Sequence, residues 1–249
     1  MPPKVVFRPI ETSSSVFIVG VAGPTRSGKG TVAHFLLEHM QVSGVLSQDA
    51  YFKKAGETPD CIDWRTLHKK LQAIVVEAGR RATTTRKRQV VVVEGFLIFS
   101  SDVVANCCNA KLFLQIDKAT CYERRKATKR AGLTSEEFER EFERRIWPAY
   151  QAYGALAENM EGVVVLDASQ PANVVGAHAV DVVDAALTGR TAAFLRRHFD
   201  ARNSATMDAE DERCDVLSGE SQCTIRPLFN QGEAPASNSG EEDDSRCGW

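Results

Sequence analysis

The apolar run VFIVGVA from Val16 leads directly into GPTRSGKGT and then into a helix-forming segment. No other stretch of the chain restricts the fold as tightly. Gly23 and Gly28 stand at the spacing G-x-x-x-x-G, and Lys29 follows at once. A turn this tight needs glycine where the backbone takes positive φ and where it closes on an anion. Its N–H groups then point inward, and the helix after it adds the positive end of its dipole. A lysine at that helix start reaches the β- and γ-phosphates of a nucleotide as a point charge. Thr25, Arg26 and Ser27 lie inside the loop and Gly30 and Thr31 just after it, so residues 23–31 are the candidate phosphate-binding segment. The pattern places a strand end at Gly23 and a helix start at Gly28.

Four more apolar, β-branched runs occur further along: GVLSQD from Gly44, QVVVVEGF from Gln89, KLFLQID from Lys111 and GVVVLDA from Gly162. Runs this continuously apolar suit strands buried on both faces, the habit of a parallel sheet covered by helices. Helical patterns separate them, over residues 28–40, 63–78, 119–129, 135–160 and from 172 onward. The alternation predicts an α/β P-loop fold: a five-stranded parallel sheet flanked by helices, with a small helical lid near residues 124–145.

The expected domain is residues 15–200, preceded by a loose leader (1–14). From residue 201 the chain turns polar and acidic, which reads as a disordered appendage, although TAAFLRRHF from Thr191 reads as a short helix expected to pack on the core. A formal net charge of −2 gives no electrostatic reason to expect nucleic acid or a membrane surface as partner. No signal-peptide pattern and no apolar run of bilayer length occurs, so the expected location is cytoplasmic. The seven cysteines include no C-x-x-C pair and read as reduced thiols.

In open α/β sheets, ligands bind at the carboxyl ends of the strands. Three such ends carry acids: Asp49, Glu94 and Asp167. Phosphoryl transfer to a hydroxyl needs one carboxylate for the hydroxyl proton and another to hold magnesium through water, and Asp49 and Glu94 are placed for those tasks. Asp167 either caps the helix after it or forms, with Ser169, Gln170 and the backbone to Ala172, part of an adenine wall. Arg124 and Arg125 point about 100° apart on a helix, so one can meet ATP phosphates while the other meets the acceptor. Residues 136–145 read mostly as a solvated helical face over a stripe of Phe138, Phe142 and Ile146, with Thr134 and Glu137 as a capping box. Where a magnesium-binding hydroxyl should come after the loop lysine the chain has Gly30, the GKGT form familiar from adenylate kinases. That leaves Thr31, Asp49, Glu94 and water as the candidate metal contacts.

In order along residues 16–187, GPTRSGKGT, VLSQDAYFKK, VVVEGFLIF, FLQIDKATCYERRKATKR, IWPAY and VVVLDAS resemble the nicotinamide riboside kinases and their relatives, the uridine kinases. The resemblance implies that Asp49 is the proton acceptor and a magnesium contact, with Glu94 the second acid. It gives Arg125 to the acceptor's ribose and Arg124 to ATP. The acid that holds the ribose hydroxyls corresponds to Glu57, with Asp60 as rival. The family's aromatic before that acid aligns with Gly56, and its lid tyrosine has no counterpart; Tyr51, Phe52 and Trp64 are the aromatics nearest to replace them. A further family arginine aligns with Thr128, beside Lys129 and Arg130.

The expected activity is transfer of the ATP γ-phosphoryl to the 5′-hydroxyl of a nucleoside, foremost nicotinamide riboside, with Mg²⁺. A uridine kinase-like or other small-metabolite kinase is the alternative, and an ATP-binding regulatory relative is the non-enzyme alternative. The GTPase motifs D-x-x-G and N-K-x-D are absent, and VEGFLIF replaces the mononucleotide-binding segment of adenylate kinases.

Overall fold

Every residue of Val16–Ala22 (β1) is buried, and alternate residues serve opposite faces. Phe17, Val19 and Val21 enter one apolar cluster, while Val16, Ile18 and Ala22 enter another. That two-residue period is the signature of a central strand, and each fully buried aliphatic side chain contributes about 1.5–3 kcal/mol. The computed structural model describes residues 8–128 and 134–190. All lie in the first of two units, Met1–Arg196; the second is Arg197–Trp249. The expectations for residues 1–7, Lys129, Arg130, the helix from Thr191 and the acidic tail lie outside the described residues.

The remaining strands are Val42–Ser47 (β2), Gln89–Glu94 (β3), Ala110–Gln115 (β4) and Val163–Asp167 (β5). All pairings are parallel, in the order β2-β3-β1-β4-β5. The sheet order thus brings the end of β1 between the ends of β3 and β4. One face is covered by Lys29–His39 (α1) and Ala172–Leu187 (α7), the other by Trp64–Thr85 (α2), Asp102–Cys107 (α3) and Trp147–Glu158 (α6). Lys118–Lys126 (α4) and Ser135–Glu141 (α5) form the helical segment between β4 and α6.

Several boundaries differ from expectation. β1 ends at Ala22, and α1 begins at Lys29 with Gly28 as its cap. α2 extends to Thr85, well past residue 78, because its buried stripe continues through Ala78 and Ala82. There the hydroxyls of Thr83, Thr84 and Thr85 bond back to the carbonyls of Gly79, Arg80 and Arg81. α4 stops at Lys126, where Thr128 donates its hydroxyl to the Arg124 and Arg125 carbonyls. The helix expected over 135–160 is interrupted by a π turn at Phe142–Ile146. Pro148 has no N–H for the carbonyl four residues back, and the Trp147 N–H instead bonds to Phe142, five residues back. Within residues 8–14, Ile10 is buried, and Gln72 exchanges hydrogen bonds with the Glu11 N–H and carbonyl. The capping box of Thr134 and Glu137 is present, and Phe138, Phe142 and Ile146 are buried as the pattern required.

Candidate active site

The loop between β1 and α1 is shaped by residues at positive φ: Gly23 (150°), Arg26 (62°) and Gly28 (97°). A Cβ on Gly23 would meet the Leu114 carbonyl oxygen and Ser27 Oγ at 2.8 Å, so glycine is required there twice over. The Ser27 N–H closes the turn on the Pro24 carbonyl at 3.2 Å. Lys29 turns back over the loop and donates from Nζ to the same carbonyl at 2.9 Å. Its side chain is buried, only 8% exposed, and burial pulls its pKa down while Glu94, Asp49 and Glu57, in that order, hold it up. Ser27 Oγ is buried with no hydrogen-bond partner among the described residues. A cradle of turned backbone, a cation and a spare buried hydroxyl fits a polyphosphate. Thr25 lies under α4, its carbonyl accepting the Cys121 thiol at 3.7 Å.

Gly30 and Thr31 sit exposed on the first turn of α1. A Cβ on Gly30 would meet nothing within 4 Å, so no steric demand keeps that residue a glycine.

Glu94 is the last residue of β3, paired in register with Val21 on one side and Ser47 on the other. It is 8% exposed; burial raises its pKa, against a hydrogen bond from Ser47 and the charge of Lys29. Asp49 lies exposed in a 3₁₀ turn, Gln48–Tyr51, that starts where β2 ends. Its N–H donates to Ser47 Oγ at 3.4 Å. Gln48 was not foreseen as a contributor. It is fully buried, and its Oε1 accepts the Leu97 N–H at 2.9 Å, tying the turn that carries Asp49 to the segment after Glu94. Among the described residues no three His, Cys, Asp or Glu side chains are grouped to hold a metal, so Asp49 and Glu94 are not part of such a group. An open pair of carboxylates is the arrangement that suits a magnesium ion keeping most of its water and phosphate ligands.

Arg124 and Arg125 diverge as adjacent helical residues must. Arg125 approaches Glu57 at 3.6 Å. Arg124 donates from Nη1 to the Ala168 carbonyl at 2.9 Å, facing the end of β5. At that strand end Asp167 binds the Ser169 N–H and hydroxyl through Oδ1 and the Gln170 amide through Oδ2. It therefore caps its own turn, and with Ser169 it borders a cavity of about 650 Å³ walled by Trp147 and Tyr150.

The structure separates Glu57 from Asp60. Glu57 is half-buried, and burial lifts its pKa against Arg125, Arg145 and Lys29. Asp60 sits exposed, bonded to Lys54 at 2.5 Å and to Thr58, which drop its pKa to about 2. Of the two rivals, then, Glu57 stands with Arg125 and Lys29, and Asp60 is held on the outer rim.

Tyr51, Phe52 and Trp64 pack, half-buried, against the α2-side core. The loop they frame is closed by a Phe52–Ile62 bridge and by the Trp64 indole N–H on the Pro59 carbonyl at 2.8 Å. At Gly56 (φ 153°) a Cβ would lie 2.3 Å from Cys61 Sγ. An aromatic side chain has no place there unless Cys61 moves. Arg145, read from the sequence as part of a solvated face, is instead half-buried and close enough to perturb both Glu57 and Arg125.

No family model matches the chain. Among curated proteins it is similar to nicotinamide riboside kinase 1 of Homo sapiens, 28% identical over 154 residues, which are 55% of this chain and 76% of that one. It is also similar to nicotinamide riboside kinase 2 of Mus musculus, 25% identical over 60% of this chain and 85% of the relative. Uridine-cytidine kinase 2-B of Danio rerio is 23% identical over 78% of this chain and 90% of its own length. The resemblance to these two kinase groups therefore stands. Among solved structures, an unliganded sugar kinase from Janibacter sp. HTCC2649 matches 68% of this chain at 18% identity with a TM-score of 0.41, too slight a likeness to add to the sheet order.

Proposed function

We propose that the chain transfers the γ-phosphoryl group of ATP to the 5′-hydroxyl of a nucleoside, with nicotinamide riboside the leading acceptor. The relatives that resemble it are kinases, and the chain is a P-loop phosphotransferase of that small-molecule kind. The observation that carries the reading is the setting of Lys29: its side chain is buried on the phosphate loop, where burial pulls its pKa down, and the carboxylates of Glu94, Asp49 and Glu57 oppose that pull. Phosphate-binding and hydroxyl-binding groups thus share one site.

Residues 23–29 would hold the donor phosphates, Arg124 would lie over them, and Ser169 and Gln170 would border the base. When bound, ATP with its magnesium ion supplies the phosphoryl group and part of the countercharge. Asp49 would accept the hydroxyl proton as the oxygen becomes nucleophilic. Lys29 neutralises charge on the transferring group without reorganising, because the loop fixes it beforehand. Asp49, Glu94 and Thr31 would orient the hydrated metal. Glu57 and Arg125 would hold the acceptor's ribose hydroxyls, a carboxylate accepting and a guanidinium donating.

A uridine-type acceptor is the second reading, favoured by Gly56, where the close approach of Cys61 leaves no room for a ring-stacking aromatic. Incubation of the full chain with ATP, Mg²⁺ and a nucleoside panel, with mass detection of monophosphates, tests both. Formation of nicotinamide mononucleotide supports the first reading, and a preference for uridine or cytidine supports the second. ATP binding without any phosphorylated acceptor contradicts both.

A further inference from the structure

The ladder between β2 and β3 ends on the rung that pairs Ser47 with Glu94, and the two chains then leave the sheet. The Gln48 side chain bridges them at that point. It is fully buried, and its Oε1 accepts the Leu97 N–H at 2.9 Å. It also packs against Gly95, the residue after Glu94: a Cβ there would collide with Gln48 Cβ and stand 2.7 Å from Oε1. Gly95 in turn donates its N–H to the Val21 carbonyl at 3.1 Å, in the strand that leads into the phosphate loop. A continuous path of contacts thus runs from β1 through Gly95 and Gln48 to Asp49, the next residue. The other local hold on Asp49, its N–H on Ser47 Oγ, is long at 3.4 Å.

Packing alone does not account for an amide at this position. A backbone N–H only donates, so Leu97 fixes which end of the Gln48 amide is the oxygen. Nε2 is then left buried, with no hydrogen-bond partner among the described residues. A buried donor without an acceptor costs stability, and a Leu or Met of similar volume would not carry it.

We propose that Gln48 is a positioning residue: by clamping its turn to Gly95 and Leu97, it sets where the Asp49 carboxylate stands relative to Glu94 and the phosphate loop. This rests on the reading above that gives Asp49 to the chemistry. Asp49 itself is exposed, on a four-residue turn in which Gln48 is the buried residue. A carboxylate on so short a turn keeps its place only as well as the turn is anchored. A base displaced by about 1 Å loses rate while the donor still binds.

The test uses Gln48→Met and Gln48→Glu in the full chain, each with thermal unfolding, Leu97 amide exchange by NMR and steady-state kinetics. Gln48→Met removes the unpaired donor and leaves the Leu97 N–H unpaired instead, so its unfolding temperature should stay near that of the wild type. The Leu97 amide should exchange faster. The kcat should fall about 10- to 100-fold, with the ATP KM little changed. Gln48→Glu keeps an oxygen for the Leu97 N–H and should recover most of the lost rate. An unchanged kcat or an unchanged Leu97 exchange rate in Gln48→Met overturns the proposal. So does a loss of kcat that follows a lowered unfolding temperature and that Gln48→Glu does not recover. If the wild type binds ATP yet phosphorylates no acceptor, the functional reading falls, and Mn²⁺ added with ATP then decides the role of Gln48. Weaker Mn²⁺ binding in Gln48→Met, read by electron paramagnetic resonance, supports the clamp, and equal binding overturns it.

Discussion

Residues 23–31 build the phosphate loop from backbone, in one contiguous stretch, whereas the proposed acceptor half at 52–62 takes its electrostatic character from side chains of other segments. In the phosphate loop, positive φ at Gly23, Arg26 and Gly28 and the reach of Lys29 are all local consequences of nine residues. In the acceptor half, Glu57 acquires its character from Arg125, Arg145, Lys29 and Asp49, each supplied from outside its own loop. A contiguous, backbone-built site tolerates drift elsewhere in the chain. A site assembled from side chains of separate segments can change what it accepts through any one of them. That contrast fits a chain whose phosphate loop is ordinary while Gly56 leaves no space for an acceptor-loop aromatic.

The comparison breaks first at Lys29. Lys29→Met should lower the phosphotransfer rate about 10²–10³-fold, the usual effect of removing one preorganised charge from a transition state. Steady-state kinetics should show the loss with every acceptor, since the donor half serves them all. Glu57→Gln should act differently, raising the acceptor KM about 10- to 100-fold through one lost charge-assisted interaction while sparing ATP affinity. Equal damage to both substrates would erase the distinction between the halves.

Glu94 lies between the two halves and gives a pH-dependent test. Burial raises its folded-state pKa above the ordinary 4.5, so the folded chain holds this proton more tightly than the unfolded one. The resulting stability is complete below that ordinary value and is lost as pH rises through the folded-state pKa. Glu94→Gln removes the buried charge and should melt higher than the wild type at neutral pH, with the gap closing as the pH approaches 4.5, even though activity falls. Thermal unfolding across that range checks it. The smallest effect belongs to Gly30. Gly30→Ser meets no obstacle and should add up to about 0.5 kcal/mol of stability from helix propensity. It should also lower the magnesium concentration needed for half-maximal rate.

Legibility in the sequence divides along the same line. All five strands were legible, because continuous apolar runs buried on both faces leave little else for those residues to form. So were the phosphate loop, Asp49 and Glu94 at strand ends, and the divergent Arg124 and Arg125. α3 escaped notice because six residues, DVVANC, are too few to display a period. Arg145 escaped because the charged run hid its spacing: seven residues after Phe138 and three after Phe142, it stands on the flank of the buried stripe. Gln48 gave no signal at all: that a buried amide ties the Asp49 turn to Leu97 depends on β2 and β3 being neighbours. Glu57 and Asp60 could be separated only once Lys54 and Thr58 were seen to occupy the latter.

Asp49→Asn tests the central claim most directly, because the proposed function gives Asp49 to the chemistry and not to the phosphate cradle. With ATP binding and the rate of nucleoside phosphorylation measured on the same preparation, the substitution should leave ATP affinity within a few-fold. The rate should fall about 10²–10⁴-fold, the contribution typical of a positioned general base. An unchanged rate, or a loss explained wholly by failure to bind ATP, would contradict the account.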